Sequence, residues 1–207
     1  MSMKGPFQLV AGHPALDFAN TLDWRFDPER RIDLLRSYES LLEFEVQSGI
    51  ISGTQAKRLL SQTSKRDSAR ALQRAIDLRE VIDPLFRSVA LGDRPRAGAL
   101  DRFNEFLVEL QIPASVVLRG SEFLLAPGDF SNRADGPLWP IVEGAARLLT
   151  SRERDQIREC GEPTCRWLFL DSSKNHSRQW CSMKICGNRA KIRRFRDRQI
   201  AAKETLS

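Results

Sequence analysis

Cys160-Gly-Glu-Pro-Thr-Cys165 and Cys181-Ser-Met-Lys-Ile-Cys186 hold the four cysteines of this 207-residue sequence, with 15 residues between the two pairs. Two close pairs at a hairpin-sized spacing can bring four thiolates to one tetrahedral Zn²⁺. The alternatives are two disulfides in an exported protein, or buried and inert thiols. The spacing favours one structural Zn²⁺ bound by Cys160, Cys165, Cys181 and Cys186.

His176 is the one histidine near these cysteines and is an alternative ligand. It lies in a polar, turn-forming segment, and four sulfurs already complete a structural zinc site. A closed site also argues against catalysis, because catalytic zinc keeps a position open for water. We therefore predict no catalytic residues and no enzymatic activity.

The segment around the cysteines predicts a small treble-clef-like fold made of a knuckle, a β-hairpin and a helix. Residues 167–170 form the first predicted strand and residues 178–180 the second, with a turn over residues 171–177. The final helix begins at Cys186, and a stripe of Ile192, Phe195 and Gln199 is expected to pack on Trp167 or Trp180.

The positive charge of the sequence belongs to its C-terminal end. Residues 151–207 contain 14 Lys/Arg against 7 Asp/Glu, whereas the remaining 19 Lys/Arg and 20 Asp/Glu nearly balance over residues 1–150. Such asymmetry is expected when one module binds a polyanion. The candidate DNA-binding residues are Lys184, Asn188, Arg189, Lys191, Arg193, Arg194, Arg196 and Arg198.

Three other interpretations of this basic segment stay open. It can be a solvated surface, since charge runs usually are. It can bind a protein partner, which would make the chain an interaction adaptor. It can belong to a metal-dependent nuclease, because Asn175-His176 lies in the predicted hairpin, although such a nuclease needs further ligands around an open cation.

The first three quarters of the sequence predict a mainly helical domain with one small β-hairpin, so the fold class is α+β. The longest helix is expected over residues 67–91, with Pro84 bending or splitting it. Residues 116–118 and 123–125 predict the hairpin, and residues 126–137 a loop. Residues 7–10 are expected to form a short strand.

His13, Asp17 and Asn20 form a polar cluster at near-helical spacing close to the N-terminus. One interpretation is a ligand-sensing site. The other, which we favour, is helix capping together with a buried hydrogen-bond network around Asn20. This choice decides whether the cluster has a binding role or a structural one.

The residues quoted above resemble a known pair of domains. The segment from Cys160 to Lys191, with the tetrapeptide Cys-Gly-Asn-Arg at Cys186, resembles the CGNR zinc finger. Gly12-His-Pro-Ala-Leu-Asp-Phe-Ala-Asn-Thr21 resembles the start of the ABATE domain, which precedes this finger in bacterial stress-induced transcription regulators. The resemblance implies zinc binding by the four cysteines, DNA binding by the finger and a regulatory role for the remainder.

We expect two domains, an ABATE-like sensing or association domain over residues 1–152 and the finger over residues 153–207. A homodimer and a small-molecule effector are further expectations. The sequence contains no run of roughly 18 to 20 apolar residues, so we expect no membrane span and a cytoplasmic location. If the finger is an independent module, chelation should unfold residues 156–203 and leave the larger domain intact.

Overall fold

The computed structural model describes residues 5–112, 115–126 and 133–204. Across these residues the chain is mainly helical, with three small antiparallel sheets of two strands each. The α-helices are α1 (Pro14–Ala19), α2 (Tyr38–Gln47), α3 (Gly53–Gln62), α4 (Lys65–Leu91), α5 (Ala99–Glu109), α6 (Leu138–Thr150) and α7 (Asn188–Glu204). The strands are β1 (Leu22–Asp23), β2 (Ile32–Asp33), β3 (Ser115–Arg119), β4 (Glu122–Ala126), β5 (Ile157–Glu159) and β6 (Leu168–Leu170).

Serine residues cap the three helices that come directly after α1 in the chain. The hydroxyls of Ser37, Ser52 and Ser64 each accept a hydrogen bond from a backbone N–H in the first turn of α2, α3 and α4, respectively. A cap of this kind stabilises a helix by about 1 kcal/mol. Gly92 ends α4 in the left-handed conformation that glycine adopts at little cost.

Helix α4 is the centre of the helical part. Leu78, Ile82 and Phe86 are fully buried on one side of it, where α1, α2, α5 and α6 pack. Pro84 does not split this helix, although it lacks the N–H that would bond to Glu80. Because Pro84 is exposed, the Glu80 carbonyl it leaves without a partner can bond to water.

The expected hairpin of the helical part is present, and the expected strand near its N-terminus is absent. Strands β3 and β4 form the expected hairpin, with Val117 opposite Leu124. The strand expected over residues 7–10 does not form: Phe7 is instead held by hydrogen bonds with the Gln47 side chain. In the expected loop over residues 126–137, residues 127–132 lie outside the described part of the chain.

The order knuckle, hairpin and helix is confirmed in the C-terminal segment, but the second strand of the hairpin was predicted wrongly. Strand β6 pairs with β5, with Arg158 opposite Phe169, and residues 178–180 form no strand. The two strands therefore lie on either side of the knuckle rather than after it. Residues 171–180 are shaped by side-chain hydrogen bonds instead of a strand ladder.

One hydrophobic cluster extends across the expected domain boundary. Ile157, Leu168 and Phe169 of the C-terminal sheet are fully buried together with Leu16 and Leu78 of the helical part. The sheet packs on α4 and α1. The helical part and the C-terminal segment thus share one hydrophobic core.

Candidate metal centre and basic helix

The four cysteine sulfurs lie together at the junction of the knuckle, the hairpin and the final helix. All four Sγ atoms are within 4.8 Å of one another, and they are the one group of metal-binding side chains found among the described residues. Cys181 Sγ is 3.6 Å from both Cys165 Sγ and Cys186 Sγ. Four sulfurs around a tetrahedral Zn²⁺ at about 2.3 Å are about 3.8 Å apart, so the site fits zinc.

The four thiols of the cluster can all ionise only around a cation. Hydrogen bonding with Cys165 lowers the pKa of the Cys160 thiol, and the same contact with Cys160 raises the pKa of Cys165. Four neighbouring thiols cannot all ionise unless a positive charge lies between them. Zn²⁺ supplies that charge, and all four thiols then bind it as thiolates.

Backbone hydrogen bonds bring the distant cysteine pairs together. Gly161 N donates to the Gln179 carbonyl at 2.8 Å, and Cys165 N donates to the Glu162 carbonyl at 2.8 Å. Cys181 N lies 3.4 Å from Cys160 Sγ and donates to it. These contacts place the second pair beside the knuckle without strand pairing.

Asp171 organises the turn between β6 and Cys181. Its buried carboxylate accepts hydrogen bonds from Ser173 N at 3.0 Å and Arg178 N at 2.8 Å. His176 Nδ1 lies 2.9 Å from the Asp171 carbonyl oxygen. His176 therefore belongs to this turn, which leaves the four sulfurs as the ligand set.

The residues predicted to contact DNA, seven basic ones and Asn188, lie on α7 and on the turn that leads into it. Lys184 is in the short π-helical turn Met183–Gly187, and the other seven are on α7, with all eight exposed. Arg189 stacks on Trp24, 5.2 Å from the ring centroid, and Arg194 lies 5.9 Å from Trp180. The zinc site and two tryptophans therefore fix where this helix begins.

Arg193 differs from the other predicted DNA contacts. Its guanidinium lies 2.6 Å from Glu162 Oε1, and Glu162 is buried. Removing this partner would leave a buried carboxylate unpaired, which is strongly destabilising. The arginine is therefore a structural residue that ties α7 to the knuckle.

The predicted packing of the apolar stripe on α7 is wrong. Ile192 is 54% exposed and Phe195 is 63% exposed, whereas Ala190 is buried. Successive residues of a helix are rotated by about 100°, which puts Ala190 nearly opposite Ile192 and Phe195. Small Ala190 allows close approach to the body, so the larger apolar side chains point to solvent.

The polar residues near the N-terminus take part in helix capping and in hydrogen bonds to the backbone. His13 caps α1, where its Nδ1 accepts a hydrogen bond from Ala15 N at 3.2 Å. Burial lowers the pKa of His13, with Glu153 opposing the shift. Asp17 Oδ1 accepts from Ala11 N at 2.9 Å. Asp17 thereby stabilises the segment that precedes α1, and His13 stabilises the first turn of α1.

Asn20 connects this cluster to the zinc-binding segment. Its Nδ2 donates to the Leu168 carbonyl at 2.8 Å and its Oδ1 accepts from Leu168 N at 3.0 Å. Leu170 N also donates to the Ala11 carbonyl at 2.7 Å. The outer edge of β6 is therefore covered by the N-terminal segment, as it would be by a third strand.

Comparison with known families agrees with this geometry. Residues 12–152 match the family described as "Putative stress-induced transcription regulator" (ABATE), and residues 156–199 match the CGNR zinc finger. The chain belongs to the ABATE family. The two matches occur in the expected order, and the four ligands of one structural Zn²⁺ lie within the second. No curated protein matches the sequence.

Two contacts between the ABATE region and the CGNR finger were not expected from the sequence. Trp167 Nε1 donates to Asp23 Oδ1 at 3.1 Å, and Arg87 pairs with Glu159 at 2.5 Å. Residues this far apart in sequence carry no local pattern that reveals their contact. The turn around Asp171 did carry a signal, since Asp-Ser-Ser is typical of a turn closed by the aspartate side chain.

The buried Asp17 of the ABATE motif should make stability depend on pH. Burial raises the pKa of its carboxyl group to about 6, against the opposing hydrogen bonds from Ala11 and Val10. Its usual value is about 3.9, so its favourable contribution is complete below about pH 4 and is lost as the pH rises through about 6. Asp17→Asn, which retains an acceptor oxygen, should remove this loss.

Urea unfolding of both proteins between pH 4 and 7.5 tests the effect. We expect the free energy of unfolding of Asp17→Asn, relative to the wild type, to rise by about 2 to 3 kcal/mol across that range. Asp101→Asn on the exposed side of α5 is the control and should give a flat difference. A flat difference for Asp17→Asn as well would show that the carboxyl group is not perturbed by burial.

Within the described part of the chain, no helix is both long enough and apolar enough to cross a membrane.

Proposed function

We propose that this chain is a cytoplasmic, zinc-dependent transcription regulator that binds DNA through α7. The observation that carries the proposal is the charge of an exposed helix held at the zinc site. Over the part of the chain that the structure describes, no carboxylate lies within 4.0 Å of the charged groups of Lys184, Lys191, Arg196 or Arg198. A polyanion would relieve the repulsion among these cations.

The zinc has a structural role in this proposal. Zn²⁺ connects the knuckle, the hairpin and the start of α7, so it fixes the direction in which the basic helix leaves the body. Arginine side chains suit both phosphate oxygens and guanine edges. Because four cysteines complete the coordination of Zn²⁺, we also propose that the chain is not an enzyme.

The salt dependence of binding gives the sharpest test of the phosphate contacts. If about five or six cations neutralise phosphates, log K should fall with log salt at a slope near −5. Arg196→Ala with Arg198→Ala should make the slope shallower by about 2 and weaken binding to all duplexes. Fluorescence anisotropy with labelled genomic fragments at several salt concentrations measures both quantities.

A matched control distinguishes the effect of the charges on α7 from the effect of the total charge of the protein on DNA binding. Arg102→Ala with Arg147→Ala removes two exposed arginines, each of which pairs with an acid on its own helix. This variant should keep the wild-type slope. An equal loss of DNA affinity in both double variants would show that net charge alone drives binding. A wild-type log K that does not change with log salt would exclude the phosphate contacts.

The same samples discriminate the other two classes of function. An interaction adaptor would show no DNA binding at low salt, whereas a nuclease would cut the fragments when Mg²⁺ or Mn²⁺ is added. We expect intact fragments with either ion. Among the described residues no open cluster of carboxylates or histidines lies beside α7, which favours the regulator over the nuclease.

We propose that the helical part senses a small anion or mediates association, and one cleft favours sensing. The cleft has a volume of about 410 Å³ and is lined by residues that include Arg70, Arg74 and Arg133. Arg74 pairs with Glu109 at 2.7 Å, and Arg133 pairs with Asp135 at 3.1 Å. No described carboxylate lies within 4.0 Å of Arg70, whose guanidinium is therefore available to an anion.

Repeating the DNA titration with succinate or chloride at equal ionic strength tests the sensing role. A specific response to succinate that Arg70→Ala removes would support it. Equal binding in both salts, together with a dimer in sedimentation, would favour association instead.

A further inference from the structure

The solvent-facing side of α7 has a composition that the phosphate contacts do not explain. A line of four exposed residues runs along the middle of this side, and we call it the α7 ridge: Asn188, Ile192, Phe195 and Gln199. Two amides lie at its ends and two large apolar side chains lie between them. Two neighbouring apolar side chains of this size form a small exposed apolar surface that a partner can cover.

Basic residues lie on both sides of the ridge. Taking about 100° per residue, Arg189 and Arg196 lie on one flank, and Lys191 and Arg198 on the other. Asp197 is the single acid between residues 188 and 203, and it lies about 180° from Asn188, on the far side of the helix. A polyanion can therefore approach the ridge without meeting a carboxylate of residues 188–199.

We infer that the α7 ridge enters the major groove of DNA and reads A·T base pairs, with Phe195 and Ile192 against the 5-methyl groups of thymine. This inference rests on the DNA binding proposed above. The major groove is about 12 Å wide and admits an α-helix. Asn188 and Gln199 are about 16 Å apart along the helix axis, so the ridge spans several base pairs.

The chemistry of the ridge matches A·T base pairs more than G·C base pairs. Asparagine and glutamine side chains form paired hydrogen bonds with adenine, and apolar side chains contact the thymine methyl group. The flanking arginines and lysines then lie toward the phosphates of the two strands. Thymine methyl groups are the apolar surface that the major groove offers, so they are the group that covers Ile192 and Phe195.

Deoxyuridine provides a direct test, because it lacks the 5-methyl group but pairs with adenine as thymine does. A duplex selected in vitro for tight binding to the full chain is prepared with thymine or with deoxyuridine throughout. For the wild-type protein we expect deoxyuridine to weaken binding by about four-fold for each thymine methyl group that the ridge covers. Phe195→Ala should show a smaller deoxyuridine penalty than the wild type, because Ile192 alone then contacts a methyl group, and its salt slope should be unchanged.

Phe123→Ala is the matched control, since Phe123 is 77% exposed and belongs to β4 rather than to α7. It should respond to deoxyuridine as the wild type does. DNA binding that is insensitive to deoxyuridine, or an equal penalty in the wild type and Phe195→Ala, would overturn the inference while leaving the proposed function intact. An absence of DNA binding at low salt would remove the proposed function itself.

A second copy of the chain is the other partner that could cover the ridge. Sedimentation of the wild type and Phe195→Ala distinguishes this case, because both should have the same mass if DNA is the partner. A wild-type dimer that Phe195→Ala converts to a monomer would overturn the inference.

Discussion

Removing zinc from the native protein should unfold the CGNR finger and also destabilise the helical part. The binding free energy of a structural Zn²⁺ is on the order of 10 kcal/mol or more, and that free energy is folding free energy for a segment this small. Cys181→Ser should have a similar effect, since Cys181 Sγ lies 3.6 Å from two of the other sulfurs. Elemental analysis should find one zinc per chain in the wild type.

The shared core changes the expectation for the remainder of the chain. Two independent modules would leave residues 1–152 intact after chelation, but Phe169 and Leu168 are fully buried in the cluster that contains Leu16 and Leu78. Loss of the finger exposes part of that cluster to water, at about 25 cal/mol per Å² of apolar surface. The urea midpoint of the helical signal should therefore fall.

Far-UV circular dichroism and tryptophan fluorescence follow the two parts together. Trp167 and Trp180 lie in the finger, whereas Trp139 lies in α6. The control is the same chelator saturated with zinc, which should leave both signals unchanged. An unchanged helical midpoint after zinc removal would show that the two regions fold independently, and unchanged fluorescence would contradict a structural zinc site.

The sequence predicts the parts of this molecule that depend on local patterns. Cysteine spacing identifies the ligand set because four thiolates at one ion need a short turn within each pair. Apolar periodicity identifies the longest helix, since this signal lies within the element that it defines. The hairpin of β3 and β4 follows from two β-branched or apolar runs around a turn.

The wrong predictions concern pairings that local patterns leave open. Residues 178–180 have the composition of a strand, but β5 occupies the inner edge of β6 and Asn20 occupies its outer edge. The stripe on α7 is apolar, but small Ala190 allows closer approach to the body, so Phe195 points to solvent. In both cases tertiary packing overrides intrinsic preference.

Asn20→Ala should strongly destabilise the protein, because the side chain of Asn20 is bound to the edge of β6. The Asn20 side chain is 4% exposed and makes two hydrogen bonds to the backbone of Leu168. Its removal leaves a buried N–H and a buried carbonyl without partners, at about 1 to 3 kcal/mol each. We expect the free energy of unfolding to fall by about 2 to 5 kcal/mol, measured by urea denaturation at neutral pH.

Asn188→Ala is the control, because Asn188 is exposed and bonds only to Lys184 of the adjoining turn among the described residues. A surface substitution of this kind should change stability by no more than about 0.5 kcal/mol. Equal urea midpoints for the two variants would show that the Leu168 backbone finds other partners. The two hydrogen bonds between Asn20 and Leu168 would then contribute nothing to stability.

The release of zinc should respond to Asn20 as well, although Asn20 touches no ligand. Leu168 lies three residues after Cys165, on the strand that fixes the knuckle, so freeing the edge of β6 loosens the site. Because zinc binding and folding of the finger are linked, Asn20→Ala should lose zinc to a chelator faster than Asn188→Ala. Equal rates of zinc loss in two variants of unequal unfolding free energy would mean that the Asn20 hydrogen bonds support the core but not the metal site. The ABATE region would then have no energetic influence on the finger through Asn20.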